Sequence, residues 1–98
     1  MEEAVFIDGV RTPNGRAHRE KGWFRKQRPD ELLTYVYEGL FERNKKVKPE
    51  DIDAVFIGSA NPSGMQNDVG RLGWLASGLP DSVPTNTLTN QCPSGMSA

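Results

Sequence analysis

Short, unbroken apolar runs and one long amphipathic segment set the pattern of this 98-residue chain. The runs at 4–10 and 54–58 consist mainly of consecutive apolar residues, which is typical of strands covered on both faces, as in a parallel sheet. Between them, apolar residues recur at helical spacing from Pro29 onward. The members of this stripe are Leu32, Leu33, Val36, Leu40 and Phe41. The pattern predicts strand, helix and strand in that order.

The predicted helix has matching signals at both ends. Proline suits the first turn at Pro29 because its missing N–H would have no helical partner there. Asp30 and Glu31 place negative charge at the positive end of the helix dipole. Three basic residues suit the negative end of the helix: Arg43, Lys45 and Lys46. The polar segment 48–53 is predicted to form the turn that leads to the second strand.

The second half of the chain repeats this order. A polar loop at 61–68 ends in Asp68, which is predicted to cap a helix over 69–78. The threonine-rich stretch 82–89 favours a third strand, and Cys92 lies where another helix would begin. The order β-α-β-α-β, followed by the start of a helix, predicts an α/β fold with a mostly parallel sheet sandwiched by helices.

Two glycines, Gly70 and Gly73, fall inside the second predicted helix. Each costs up to about 1 kcal/mol relative to alanine in a helix interior. Their presence there indicates close packing of this helix against a neighbouring element.

Composition and charge narrow the classes of function. The formal net charge of −1 gives no general attraction to nucleic acid or to an anionic membrane. No apolar run approaches the roughly 20 residues of a membrane span, and the acidic N-terminus does not resemble a secretory signal. The single cysteine cannot form an internal disulfide, which fits a reducing cytosol, and with one histidine it cannot complete a zinc site. We therefore expect a cytoplasmic protein without metal, nucleic acid or membrane as partner.

The loop at 16–28 is rich in positive charge and contains Trp23 and Phe24. One interpretation is attraction of an anionic ligand, or of nucleic acid with stacking on the aromatic rings. The other, which we favour, is a solvated loop whose two aromatic side chains pack on the body of the protein or on another subunit. His18 on this loop is expected to face solvent rather than to act in catalysis. The fingerprint G-x-G-x-x-G is absent after the first predicted strand, which removes the usual dinucleotide site.

Cys92 is the candidate nucleophile. At a turn from strand to helix, the positive end of the helix dipole stabilises a thiolate, and the unpaired N–H groups of the first turn can hold an oxyanion. The small side chains of Ser94, Gly95 and Ser97 leave room for a substrate. The alternative is a small buried cysteine at a packed corner, since free cysteines are often buried. The residues alone leave both interpretations open.

Six short motifs occur in one order along nearly the whole chain, and together they resemble the N-terminal part of thiolases, a family of acyl-CoA acyltransferases. The motifs are Arg11-Thr12-Pro13-Asn14-Gly15-Arg16, the segment from Arg28 to Leu32, Gly58 after the second strand, Gln66-Asn67 with Arg71, the pair GLP at 78–80 and VP at 83–84, and Cys92-Pro93-Ser94-Gly95. Each motif is weak by itself, and their common order carries the resemblance.

The resemblance implies a reaction for Cys92. In thiolases this cysteine attacks the carbonyl of an acyl-CoA thioester and becomes acylated, and its own N–H helps to bind the oxyanion. A second acyl-CoA then attacks the acyl group to form a 3-ketoacyl-CoA, and the reverse reaction is thiolytic cleavage. The resemblance also implies coenzyme A or acyl-CoA as substrate, no permanently bound cofactor, and a homodimer or homotetramer, with or without an additional small subunit.

Thiolases take their other acid–base groups and most contacts to CoA from segments further along. We therefore expect residues 1–98 to form an incomplete N-terminal half-domain of a thiolase-like fold, without a second domain and inactive alone. Thr89-Asn90-Gln91 and Met96-Ser97-Ala98 depart from common thiolase patterns around the cysteine, which leaves the acyl group open. The alternatives are another thiolase-fold condensing enzyme, such as a ketoacyl or hydroxymethylglutaryl-CoA synthase, and a non-catalytic lipid-carrier or structural subunit.

Overall fold

The computed structural model describes residues 2–60 and 68–98. In chain order the elements are α1 (Pro29–Arg43), a 3₁₀ turn (Pro49–Asp51), β1 (Val55–Gly58), α2 (Val69–Ala76), β2 (Thr85–Leu88) and α3 (Ser94–Ser97). Strands β1 and β2 are parallel, with Val55 opposite Thr85 and Gly58 opposite Leu88. The α/β order predicted from residue 29 onward is confirmed, while most of the predicted loop at 61–68 lies outside the described residues.

The strand predicted over 4–10 is wrong. This segment has no strand geometry, and the side chains of Val5, Phe6 and Ile7 are largely exposed. A strand needs a neighbour to accept and donate its backbone hydrogen bonds. In the described part of the chain, β1 and β2 pair only with each other. The segment at 4–10 therefore has the apolar composition of a buried strand, but no strand in the described part of the chain pairs with it.

Asp8 fixes this N-terminal segment beside the end of α1. Its carboxylate accepts a hydrogen bond from the side-chain amide of Asn44 at 2.9 Å and one from the N–H of Gly9 at 2.8 Å. The guanidinium of Arg43 lies 3.1 Å away. The Asn44 bond first, then the Gly9 bond, and then the charge of Arg43 lower the pKa of Asp8. The contact is therefore formed above the ordinary carboxyl pKa and is lost as the pH falls through the lowered value.

The core lies between α1, α2 and one face of the sheet. Tyr37, Trp74 and Val83 form its centre, and Trp74 is 2% exposed. The rings of Tyr37 and Trp74 meet edge to face with centroids 5.4 Å apart, a favourable aromatic geometry. Leu33 and Phe41 of the predicted stripe pack against this centre, whereas Tyr37, its most buried α1 member, was not among the predicted residues.

The two glycines of α2 allow the close packing that the sequence predicts. A Cβ at Gly70 would lie 2.9 Å from side-chain atoms of Ile57 and Thr87, and a Cβ at Gly73 would lie 2.9 Å from Cβ of Leu33. The N–H of Gly70 donates to the hydroxyl of Thr87 at 3.0 Å. Helix α2 thus contacts α1 and both strands at distances that larger residues would prevent.

Asp68 occupies the N-cap position of α2, but its side chain makes no cap hydrogen bond. Its carboxylate instead accepts a hydrogen bond from the hydroxyl of Thr87 at 2.7 Å. The predicted N-cap position is right, but the side chain does not bond to the helix N–H groups. The close approach of α2 to β2 brings the hydroxyl of Thr87 within reach of both the Asp68 carboxylate and the N–H of Gly70. Thr87 thereby joins the start of the helix to the strand.

The second face of the sheet is covered only in part by the described residues. Successive side chains of a strand point to opposite faces, so Ile57 faces α2 while Phe56 and Gly58 face the other side. There α3 lies against Gly58, but Phe56 remains 52% exposed. Helices therefore flank both faces of the sheet, and the second face is covered at the carboxyl end of β1.

Tyr37 makes the stability of this core sensitive to alkaline pH. Burial raises the pKa of Tyr37 to about 12, while an unfolded tyrosine has a pKa near 10. The neutral phenol therefore contributes stability below pH 10, and this contribution is lost as the pH rises toward 12. For the full-length protein we expect about 1 kcal/mol of loss between pH 9 and 11.

Urea unfolding at both pH values measures this loss, with Tyr37→Phe as the matched variant because phenylalanine keeps the ring and cannot ionise. The loss between pH 9 and 11 should be about 1 kcal/mol smaller in the variant. An equal loss in both proteins would contradict the prediction.

Candidate active site

Cys92 lies in the turn that joins β2 to α3. Strand β2 ends at Leu88 and α3 begins at Ser94, so the predicted strand–turn–helix placement is confirmed. The thiol belongs to an exposed residue. In the described part of the chain it does not fill a packed corner, and reagents can reach it from solvent.

The residue before the cysteine has an unusual backbone conformation. Gln91 has φ of +53°, in the left-handed region that non-glycine residues rarely adopt. Such a conformation costs of order 1 kcal/mol and persists where surrounding contacts hold it. The sequence pattern gives no signal for this feature, because glutamine has no preference for the left-handed region.

Ser94 supplies those contacts. Its hydroxyl donates to the carbonyl of Gln91 at 2.6 Å and accepts from the N–H of Asn90 at 2.8 Å. Its own N–H donates to the same Gln91 carbonyl at 3.1 Å. Ser94 is 2% exposed, so these bonds form away from water. One buried hydroxyl thus connects the two residues that precede Cys92.

The turn lies against the end of β1 through backbone contact. A Cβ at Gly58 would lie 2.4 Å from the carbonyl carbon and oxygen of Ser94 and 2.5 Å from the nitrogen of Gly95. Only glycine fits this approach. The glycine that closes the second strand motif therefore serves the cysteine turn, 34 residues later in the chain.

Helix α3 contributes one turn within this chain. The N–H of Ser97 donates to the carbonyl of Pro93 at 2.9 Å, and the side-chain amide of Asn90 donates to the hydroxyl of Ser97 at 3.1 Å. Because the N–H of Ser94 is bonded to Gln91, it is not a free donor for an oxyanion. The donor that the resemblance implies is the N–H of Cys92 itself.

The motif residue Arg71 has a structural partner. Its guanidinium donates to the carbonyl of Val83 at 2.7 Å and to that of Asp81 at 2.8 Å. The indole N–H of Trp74 donates to the carbonyl of Pro80 at 2.6 Å. These bonds hold α2 to the segment that leads into β2, and they join the motif residues at 71, 78–80 and 83–84. The other two residues of the fourth motif, Gln66 and Asn67, lie outside the described residues.

His18 is exposed, as predicted, and its ring nitrogen Nδ1 accepts hydrogen bonds from the N–H groups of Glu20 at 3.1 Å and Lys21 at 3.0 Å. The loop at 16–28 forms turns without a helix or strand. Of its two aromatic residues, Phe24 is half-buried beside Gly15, whereas Trp23 is 74% exposed. The packing expected of both rings is found for Phe24 alone.

The motif at 11–16 lies in an extended segment beside α1. Together with Phe24 and apolar residues of the helix, Val10, Arg11, Thr12 and Pro13 line a cleft of about 350 Å³. Apolar side chains dominate this cleft. Its described walls therefore offer a packing surface rather than a set of acid–base groups.

No group of three or more His, Cys, Asp or Glu side chains is placed to hold a metal ion among residues 2–60 and 68–98. Over the same ranges, none of the helices has the length and apolar character to cross a bilayer.

Comparison with known proteins matches this chain to one family. The family model "Thiolase, N-terminal domain" matches residues 4–98. Relatives include a beta-ketoadipyl-CoA thiolase of Pseudomonas knackmussii, 43% identical over 100 residues, and a 3-oxoadipyl-CoA/3-oxo-5,6-dehydrosuberyl-CoA thiolase of Escherichia coli, 39% identical over 99 residues. Each match covers 100% of this chain and 24% of the relative.

A peroxisomal 3-ketoacyl-CoA thiolase B of Mus musculus is 36% identical over 96 residues, which cover 98% of this chain and 22% of the relative. The chain thus spans about a quarter of the length of these curated relatives. The match of the family model over residues 4–98 extends across all the elements described above, from α1 to the cysteine turn. The chain belongs to the thiolase family, and its residues 4–98 match part of the N-terminal region of that family.

Proposed function

We propose that the full-length protein is an acyl-CoA acyltransferase of the thiolase type, with Cys92 as its nucleophile. The match of residues 4–98 to the thiolase N-terminal domain carries this proposal. The exposed position of Cys92 between β2 and α3 supports it, because a nucleophile must reach a substrate from solvent.

The proposed reaction has two steps. In the first, the thiolate of Cys92 adds to the thioester carbonyl of an acyl-CoA, the bond between the carbonyl carbon and the CoA sulfur breaks, and coenzyme A leaves as its thiol after taking up a proton. In the second, the α-carbon of another acyl-CoA loses a proton and attacks the acyl-enzyme. As the new carbon–carbon bond forms, the bond between the acyl carbon and Sγ of Cys92 breaks, which releases a 3-ketoacyl-CoA and the thiolate. The proton lost from the α-carbon balances the one that restores the thiol, and thiolysis is the same sequence reversed.

The substrate class is proposed from the relatives. Their names refer to beta-ketoadipyl-CoA, 3-oxoadipyl-CoA and 3-ketoacyl-CoA, which all carry a 3-keto group on a CoA thioester. We infer that this protein also acts on a 3-ketoacyl-CoA. Coenzyme A enters as substrate, and the proposal needs no permanently bound cofactor.

We also propose that the whole protein is an oligomer and that it is located in the cytoplasm. A homodimer or homotetramer follows from the resemblance. Because the chain spans 24% of its bacterial relatives, we expect residues 1–98 to show no thiolysis by themselves. Turnover by the isolated segment above background would contradict this expectation.

Mass spectrometry of the full-length protein tests the nucleophile. After incubation with acetyl-CoA and no second substrate, we expect one acetyl group on the peptide that contains Cys92, and the label should disappear when free coenzyme A is added. The control is Cys92→Ser, in which that peptide should remain unlabelled. An acetyl group found only on another cysteine would overturn the assignment of Cys92.

Thiolysis assays test the substrate class. Full-length protein supplied with coenzyme A should cleave 3-ketoadipyl-CoA or a straight-chain 3-ketoacyl-CoA, and comparison of the two values of kcat/KM identifies the preferred acyl group. Failure to cleave either substrate, with Cys92 still acetylated, would favour a different condensing reaction.

A further inference from the structure

Ser94 combines three features that the nucleophile assignment does not use. It is the one buried polar residue in the described part of the chain. Its hydroxyl both donates and accepts a hydrogen bond, and both partners are backbone groups of the residues just before Cys92. Its backbone lies in contact with Gly58 of β1. A buried hydroxyl with this arrangement connects the strand end to the turn that carries the thiol.

The hydroxyl of Ser94 has no proton left to donate to a substrate in this position. Its single proton is donated to the carbonyl of Gln91, and one of its two lone pairs accepts the N–H of Asn90. With 2% exposure it also cannot be reached from solvent. Ser94 therefore acts on Cys92 through the backbone and not by contact with reacting atoms.

Ser94 acts on the backbone of Gln91, which is the strained residue of this turn. Gln91 carries φ of +53°, and the carbonyl of the same residue receives two hydrogen bonds from Ser94, at 2.6 Å from the hydroxyl and 3.1 Å from the N–H. Left-handed φ at a non-glycine residue persists only where neighbouring contacts compensate its cost. If the hydroxyl bonds are removed, Gln91 is free to return toward negative φ, and that rotation redirects the residue that follows it.

We infer that Ser94 is a positioning residue for the proposed nucleophile: its buried hydroxyl holds Gln91 in the left-handed conformation that presents Cys92 to substrate. Gly58 is the second part of this device, because its missing side chain lets the backbone of Ser94 rest on β1. The inference depends on the proposed function for its catalytic consequence. Its structural part, the control of the accessible thiol by Ser94, depends only on the geometry described.

The test uses the full-length protein and four forms of it: wild type, Ser94→Ala, Gln91→Gly and the double variant. Loss of the hydroxyl should lower the rate of acetylation of Cys92 by acetyl-CoA about 30-fold, since a misplacement of about 1 Å can cost up to a hundredfold. The KM for acetyl-CoA should change less than threefold, because Ser94 does not contact the substrate. Gln91→Gly alone should change the acetylation rate less than threefold.

The double variant separates positioning from general damage. Glycine adopts positive φ without strain, so it needs no hydroxyl to hold it there. The double variant should therefore acetylate Cys92 at least threefold faster than Ser94→Ala. A merely structural role for Ser94 predicts no such rescue, because a second substitution cannot refill the lost hydrogen bonds. All rates are divided by the folded fraction, which the fluorescence of the buried Trp74 reports.

Two results would overturn the inference. One is a rate for Ser94→Ala that exceeds one third of the wild-type rate, and the other is a double variant less than threefold faster than Ser94→Ala. If wild-type protein turns over substrate without acylating Cys92, the proposed nucleophile is wrong. In that case the same four proteins are compared by the rate at which iodoacetamide alkylates Cys92, with the same thresholds, so that the positioning role is judged separately.

Discussion

Replacing Cys92 by alanine is expected to lower the rate of acyl transfer by the full-length protein at least about a thousandfold. The covalent route divides one difficult displacement into two easier steps, and alanine removes the atom on which the intermediate forms. Loss of a nucleophile typically lowers kcat by several orders of magnitude, while groups that only bind substrate remain. We therefore expect kcat to collapse and the affinity for acyl-CoA to stay within a few-fold of its normal value.

Stopped-flow or steady-state thiolysis of a 3-ketoacyl-CoA measures kcat, and ligand titration measures acyl-CoA affinity. Because Cys92 is exposed, its loss should change the free energy of unfolding by no more than about 0.5 kcal/mol. Glu42→Gln, an exposed change on α1, serves as the control with normal turnover. Turnover above a tenth of normal in the alanine variant would show that the cysteine is not the nucleophile.

Replacing Trp74 by alanine is expected to destabilise the full-length protein by about 3–5 kcal/mol. The indole is 2% exposed, contacts the rings of Tyr37 and Phe41 edge to face, and donates its N–H to the carbonyl of Pro80. Its removal leaves a cavity in the centre of the core and takes away the shorter of the two hydrogen bonds to the carbonyl of Pro80, which then keeps only the one from the N–H of Val83. Both costs add to the lost transfer free energy of a large apolar side chain.

The chain provides its own control for this experiment, since Trp23 is the second of its two tryptophans and is 74% exposed. In urea unfolding, Trp23→Ala should change the free energy of unfolding by no more than about 0.5 kcal/mol relative to wild type. Trp74→Phe should fall between the two because it keeps an aromatic ring and loses the hydrogen bond to Pro80. A cost for Trp23→Ala equal to that of Trp74→Ala would instead place Trp23 in an interface between subunits.

The elements with complete local signals were predictable. Helix α1 has apolar spacing, an N-terminal proline and end charges that agree. It begins at Pro29, as these signals predict, and ends at Arg43, the first of the three basic residues at its C-terminal end. The run at 54–58 and the threonine-rich stretch after it form β1 and β2. In each case the preference of the segment and its place in the fold point in the same direction.

The segment at 4–10 shows where such reasoning stops. Its apolar run favours burial, but a strand also requires a second strand at hydrogen-bonding distance. The composition of the segment does not show which strand would be that partner. Similarly, the spacing of α1 residues identifies the apolar stripe without showing that Tyr37 would be its most buried member. That outcome depends on the position of Trp74 in another helix.

The position of the candidate site could be predicted from the sequence, but the contacts that hold the cysteine turn in place could not. The strand–turn–helix signal placed Cys92 correctly in the turn between β2 and α3. Left-handed φ at Gln91 and the two backbone partners of the Ser94 hydroxyl had no sequence signal, and neither had the contact of the turn with Gly58. A long-range backbone contact of this kind is invisible to local pattern.

The attachment of α2 to β2 has a consequence for motion. The helix is fixed along its length, through Thr87 at its start, through Arg71 in its first turns and through the indole of Trp74 further on. Elements joined at several points open together, so their amide hydrogens should exchange with solvent as one cooperative unit.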